Sequence, residues 1–459
     1  MFLALALGWI VLLHAAFNPL WQGDSVGYSA PGCMLLGPYS VRLYDGARTP
    51  LYPLFLSVLQ HAYSGKCLLE PEPGALALIT GVQLLLYLAA IVYVYRALSD
   101  FGVLVRLAGM AAIASSPLHA LFTRQILTEA LAAPLLLLFA AHLIRFTLRG
   151  RSERDAAVSF AAFTLLALTR PNVLLPLSLA VPFVLWLGRD RRRLLASAGL
   201  LIVLPLLVVA SLNYANRGFF TLTNIGGFTK TGVVYNLFDR VHEEDAILGS
   251  ILSAQHQLDV RNGQVDGLLV WRAMAQVQAA IDRMPYTKRH PRSAGTSDLN
   301  AYLAKVSDYL MRENPGVVAR NAWRSLVQLY DLGVLGIPPH GEDPRSPGHD
   351  GNIRSAALYR LYEGAQPAYN AIMRLLLAVV PILIVAGSYL RGPRHFALPL
   401  LFYAIYLSNM AMIAVFNVIH NRYLALMQPL LIMALCVSLQ AVLRREAAPR
   451  EEPETVALA

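Results

Sequence analysis

Apolar residues gather in ten long runs, near 2–20, 75–95, 102–121, 128–146, 156–172, 172–188, 194–213, 367–390, 396–418 and 423–443. Each is close to the roughly 20 residues needed to cross ~30 Å of hydrocarbon. A backbone in lipid must satisfy its own hydrogen bonds, so such runs predict helices. The expectation is an all-α polytopic membrane protein with about ten transmembrane helices. The first run lacks a basic start and a small-x-small cleavage site before Asp24, and so reads as a helix rather than a signal peptide.

The polar breaks predict orientation. Arginines cluster at Arg145–Arg154, Arg189–Arg193 and Arg444–Arg450, with Arg96, Arg106, Arg391 and Arg394 on the same set of loops. Basic loops stay in the cytoplasm, so both termini are expected inside. The chain then divides into an N-terminal membrane module of about seven helices (1–213), an outward-facing mainly helical domain (214–366), C-terminal spans (367–443) and a cytoplasmic tail (444–459). The first outer loop covers 21–74. Within 214–366, helices are expected near 243–258, 265–283, 298–314 and 316–332. Asn314-Pro315 has the form of a helix start. The stripe Val317, Val318, Trp323, Leu326, Val327 and Tyr330 suits a helix lying along the membrane surface.

Composition excludes other classes. Hydrophobic residues make up 56% of the 459 and charged residues 14%, against about 25% charged in a soluble protein. The net charge of +10 sits in the short loops between spans, which makes membrane lipids, not nucleic acid, the expected partner. Cys33 and Cys67 share the first outer loop; an oxidising compartment allows them to pair, and otherwise they are buried thiols. Cys436 reads as packing. There is no P-loop, GxGxxG, HExxH, paired CxxC or DxD motif. His242-Glu243-Glu244-Asp245 reads as a solvated helix start, and His340, His349 and Asp350 as a polar loop. No metal and no cofactor are expected.

The informative stretch is Gly23-Asp24-Ser25-Val26-Gly27-Tyr28, followed by Ala47-Arg48-Thr49-Pro50-Leu51-Tyr52-Pro53-Leu54. Asp24 emerges where the first helix reaches the outer surface. Desolvation by helix ends would raise its proton affinity and equip it as a base. From topology alone, a helix cap or interfacial anchor weighs equally. Arg124, Arg170 and Arg422 stand singly on the non-basic side, where they do not aid insertion.

These features resemble the GT-C glycosyltransferases, especially the branch of protein O-mannosyltransferases and aminoarabinose transferases. The resemblance is carried by Asp24 early in the first outer loop, Arg48-Thr49-Pro50-Leu51-Tyr52-Pro53, Leu127-Thr128-Glu129, Thr169-Arg170-Pro171 and Asn421-Arg422-Tyr423. It extends loosely to Gly226–Phe238 and Asn314-Pro315. It implies a GT-C-like fold and transfer of a sugar from a polyprenyl-phosphate donor to a glycan, lipid or protein acceptor of the cell envelope. The site would face the periplasm from a bacterial inner membrane. Asp24 would be the catalytic base. Arg48, Arg124, Arg170, Arg422 and Lys230 would hold the donor phosphate. Tyr28, Tyr52, Glu129, Asn421 and Tyr423 would bind substrate, Glu129 by orienting an arginine or the sugar. Arg48-Thr49-Pro50 departs from the Lys/His-Pro-Pro form of that branch, so the sugar does not carry over. Two other classes compete. A flippase of lipid-linked sugars would show mid-span ionisable groups or broken helices with internal symmetry. A non-catalytic envelope assembly subunit would use the outward domain for docking.

Overall fold

The computed structural model describes residues 2–20, 23–36, 48–223, 226–262, 269–281, 296–331, 354–392, 396–416 and 421–443; the side chains of Asp24, Asn421 and Arg422 lie outside the described set. His340, His349 and Asp350 also fall outside it. The described residues are helical, apart from connections and one isolated parallel bridge between Leu20 and Gln125.

Among the described residues, six helices are long and apolar enough to cross a membrane: Pro73–Ala97, Glu129–Leu148, Arg191–Asn216, Ala356–Leu390, Ala397–Phe416 and Tyr423–Leu443. The protein is accordingly an integral membrane protein. Ala4–Ala15, Val103–Ala114 and Pro171–Leu187 are apolar but shorter. Glu153–Thr169 packs along Glu129–Leu148. The apolar run at 102–121 is not one helix: Ser116 caps a separate short helix, Pro117–Phe122, through the His119 amide. Proline at the first turn sets that break.

Burial ranks the spans. Glu129–Leu148 and Tyr423–Leu443 have 78% and 67% of their apolar windows buried, against 22% for Arg191–Asn216. The first two are therefore the centre of the bundle and the last is its outer edge. At three of the prolines within the spans, the missing N–H leaves the carbonyl four residues earlier without its helical donor, and a side chain takes its place. In each case a neighbouring helix supplies one. Pro429 releases Ala425, whose carbonyl lies 2.9 Å from His119 Nε2. Pro381 releases Leu377, which accepts from the Tyr403 hydroxyl at 3.0 Å. Pro205 releases Leu201, which accepts from the Thr164 hydroxyl. Polar side chains inside the bundle thus replace bonds that lipid cannot provide.

Where the sequence reads as a loop after the first span, the structure has a helix, Gly23–Leu36. Its glycines and Pro31 are poor helix formers, so tertiary contact is what holds it. It packs on Leu51–Ser64. A Cβ on Gly32 would come within 2.3 Å of the Pro53 carbonyl oxygen, so only glycine permits this approach. Cys33 and Cys67 form a disulfide, with Cα atoms 5.2 Å apart. Beside it, Ser29 and Gln60 tie the helix to the Leu68 backbone.

Residues from 228 to 310 form a second hydrophobic cluster. There, Gly226–Val233 packs on Thr296–Glu313, and the Asn300 side-chain oxygen accepts from the Gly227 amide at 2.6 Å. Further helices lie at Ala246–Arg261, Leu269–Arg272 and Met274–Ile281. The run at His242 is not simply solvated: His242 packs on Tyr309, and Asp245 is buried and accepts from the Tyr302 hydroxyl. Pro315–Asp331 follows Asn314 and packs along Ala397–Phe416, turning Asn321, Ser325 and Leu329 inward. Of its expected lipid-facing stripe, Trp323 and Val327 are exposed, whereas Val317, Val318 and Leu326 pack against protein. The helix therefore has a protein-packed face and a face on which Trp323 and Val327 are exposed.

Candidate functional site

The site is assembled where the helix Gly23–Leu36 meets the starts of three others. Leu20 and Arg124–Ile126 exchange backbone bonds of 2.8 and 3.1 Å, and the Ser25 hydroxyl donates to the Ile126 carbonyl at 3.0 Å. The backbone carrying Asp24 is thereby fixed beside the stretch that leads into Thr128-Glu129. From the other side, the Thr49 hydroxyl donates to the Thr169 carbonyl at 3.1 Å. That bond brings Arg48-Thr49-Pro50 against Thr169-Arg170-Pro171, 120 positions away in the chain.

Arg48 lies with its guanidinium carbon 4.7 Å from the centre of the Tyr28 ring, and one N–H reaches the Tyr28 hydroxyl at 3.4 Å. Gly27 lies directly beneath: a Cβ there would meet the guanidinium at 3.5 Å. Tyr28 in turn stands edge-on to Tyr52, centroids 5.4 Å apart. Tyr52 is fully buried and bonded to the Gln83 amide at 2.9 Å. Its burial pushes the phenol well above its ordinary pKa, so it stays neutral and serves as a wall behind Tyr28.

On the opposite side Arg170 Nη1 is 2.6 Å from Glu129 Oε1, with side-chain exposures of 6% and 1%. Thr128 donates to the second Glu129 oxygen at 3.2 Å. The Arg170 guanidinium also lies 4.4 Å from the centre of the Tyr423 ring, and its Nε reaches Asn172. Two charges this deeply buried persist because each neutralises the other.

Between these two arrangements lies a cavity of about 290 Å³. Tyr28, Arg48, Thr49, Thr128, Arg170 and Tyr423 line it together with Thr169 and Asn172. Thr223, Gly226 and Thr229 close one side, and Met412, Ile413 and Phe416 form an apolar lip. Arg48, Arg170, Tyr28 and Tyr423 thus meet at one place, with Glu129 immediately behind Arg170. Tyr52 supports the wall from outside the lining.

Two of the expected phosphate ligands are placed elsewhere. Arg124 is buried and directed at the end of the first helix, donating from Nε to the His14 carbonyl at 2.9 Å and from Nη1 to Thr80 at 3.2 Å. A cation there complements the carbonyl-rich helix terminus. Lys230 pairs with Asp308 at 2.8 Å in the second cluster. Its neighbours Gly226 and Thr229, not Lys230, reach the cavity. Thr49, Thr169 and Asn172 carry no individual signal in the sequence, although they sit inside or beside the motif triplets. Met412, Ile413 and Phe416 carry no signal beyond the face of an apolar helix.

No family model matches the chain, and no curated protein matches it in sequence. Among solved structures, ArnT from Cupriavidus metallidurans bound to undecaprenyl phosphate is similar at 13% identity and a TM-score of 0.35, over 94% of this chain and 76% of that one. ArnT from the same organism in the apo state is similar at 14% identity and a TM-score of 0.33, over the same shares.

Proposed function

We propose that this protein is an inverting glycosyltransferase that moves a sugar from a polyprenyl-phosphate carrier to a glycan, lipid or protein acceptor of the cell envelope. One observation carries the reading: Arg48-Thr49, Thr128-Glu129, Thr169-Arg170 and Tyr423, distant in sequence, converge on a single cavity with an apolar lip. A lipid-linked sugar phosphate has the matching halves. Its anion faces guanidinium groups and its prenyl chain lies along Met412, Ile413 and Phe416.

Asp24 takes the proton from the acceptor hydroxyl as that oxygen attacks the anomeric carbon. The bond from that carbon to the phosphate oxygen breaks on the opposite face, configuration inverts, and the lipid phosphate departs with the electron pair. Arg48 and Arg170 stabilise the charge that develops on it. Arginine offers paired N–H donors in phosphate geometry, and preorganised donors act most strongly where water is excluded. Glu129 is a positioning residue for Arg170. Arg422, at the head of Asn421–Leu443, remains a phosphate ligand in this scheme; Arg124 and Lys230 do not. The scheme uses no metal or cofactor. The cavity faces the periplasm of a bacterial inner membrane, with about ten spans and both termini cytoplasmic.

Replacing the base tests the reading. Asp24→Asn is expected to lower sugar transfer by about 10²–10⁴-fold, the usual contribution of general base catalysis, while mass spectrometry still finds prenyl phosphate bound to the purified protein. Normal turnover by the variant would remove Asp24 from the mechanism. A flippase would instead translocate lipid-linked sugar in vesicles and transfer none.

A further inference from the structure

One side of the cavity is not made by the membrane bundle. Gly226 and Thr229, which close it, belong to Gly226–Val233, a helix of eight residues of which three are glycine and two threonine. Helices shorter than about 12 residues are marginal on their own, and glycine and threonine are poor helix formers. This segment is therefore held in place by its neighbours. It touches Ala397–Phe416, the span that supplies the apolar lip, but most of its packing is on Thr296–Glu313 in the outward cluster.

The two helices meet at Gly227, where a Cβ would overlap the Asn300 carbonyl oxygen. At this close approach the buried Asn300 side chain turns its oxygen to the first turn of the wall helix. It accepts from the Gly227 amide at 2.6 Å and from the Phe228 amide at 3.4 Å. First-turn amides have no partner within their own helix, so Asn300 does from another helix what an N-cap side chain does locally. One turn farther on, Lys230 pairs with Asp308 at 2.8 Å, with side-chain exposures of 34% and 37%. Ion pairs this open to solvent contribute little, so the buried Asn300 contact is the stronger of the two ties.

From this arrangement we infer that Asn300, although it does not line the cavity, is a positioning residue for donor binding. It fixes the Gly226–Val233 wall, and through it the outward cluster completes the donor site. The inference rests on the cavity being the donor site.

The test uses the full-length protein in nanodiscs and, as probe, a fluorescent short-chain polyprenyl phosphate that carries no sugar. Asn300→Leu removes the accepting oxygen at similar volume. With the wall in place only a tenth of the time, the apparent affinity for the probe falls by the same factor, about ten-fold. Hydrogen exchange at the Gly227 and Phe228 amides is expected to accelerate in the same variant. Asn300→Asp keeps the oxygen and puts a carboxylate at a helix N-terminus, where it is favoured; it is expected to bind the probe nearly as well as the parent protein. Gly227→Ala, which forces the two helices apart, is expected to weaken the probe as Asn300→Leu does. Leu252→Ala opens a void in the same cluster, on a helix that does not line the cavity, and is expected to lower the unfolding temperature at unchanged affinity. If Asn300→Leu and Gly227→Ala lose stability but keep their affinity, or lose no more affinity than Leu252→Ala at equal stability, Asn300 is merely structural and the inference is overturned, while glycosyl transfer stands. If the parent protein binds no polyprenyl phosphate, the donor-site reading itself fails, and the inference with it.

Discussion

Arg170 and Glu129 show what the site asks of a single residue. Each is nearly inaccessible to water, and each offsets the charge of the other. Arg170→Ala would strand a buried carboxylate, and breaking such a pair costs about 3–5 kcal/mol. The expected outcome is a clearly lowered unfolding temperature together with lost transfer. Adding Glu129→Gln should return most of the stability, since the stranded charge is gone, but none of the activity. Thermal unfolding and a transfer assay on the same preparations check this. Recovery of both would mean that Arg170 is structural. Arg48 is held differently, by the face of Tyr28 and by the space above Gly27. Stacking of this kind contributes about 0.5–2 kcal/mol and helps to fix the orientation of the guanidinium.

At the scale of elements, the spans depend on side chains that repair proline gaps. The Tyr403 hydroxyl donates to the Leu377 carbonyl that Pro381 leaves open. Tyr403→Phe should therefore cost about 1 kcal/mol, the net worth of a typical hydrogen bond, and up to about 3 kcal/mol if the carbonyl is left dry. Pro381→Ala restores an N–H within the same helix, so Tyr403→Phe should cost markedly less in that background. A double-mutant cycle on unfolding free energy measures the coupling. Equal costs in both backgrounds would show that the hydroxyl does not serve the proline gap. The helix Gly23–Leu36 obeys a related rule: Gly32 and the disulfide hold in place a segment whose own helix propensity is poor.

For the whole molecule, the asymmetry of the arginines and the position of the cavity make one joint prediction. Alkaline phosphatase inserted within 214–366 should be active, and a fluorescent protein fused after 443 should fluoresce, because basic loops are retained in the cytoplasm. The reverse pattern would place the cavity on the cytoplasmic face and remove the periplasmic reading. The same experiment bears on the number of spans. Among the described residues six helices meet the length for crossing, and the shorter apolar helices cross only if they join or if the bilayer adapts around them.

The membrane class and most helices were legible in the sequence because lipid imposes a one-dimensional rule: length and hydropathy decide whether a segment is at home there. The candidate arginines were legible because a charge outside the orientation pattern needs a reason. What the sequence could not decide was which of them share a cavity. Arg170 reaches it through the Thr49–Thr169 bond, whereas Arg124 turns to the end of the first helix and Lys230 to Asp308. Such choices depend on contacts between residues 78 to 120 positions apart. The helix at Gly23–Leu36 was hidden for the same reason, since packing against Leu51–Ser64, not local propensity, makes it a helix. Local chemistry determined most of the apolar elements and the pool of reactive side chains; tertiary packing decided the helix at Gly23–Leu36 and which side chains face one another.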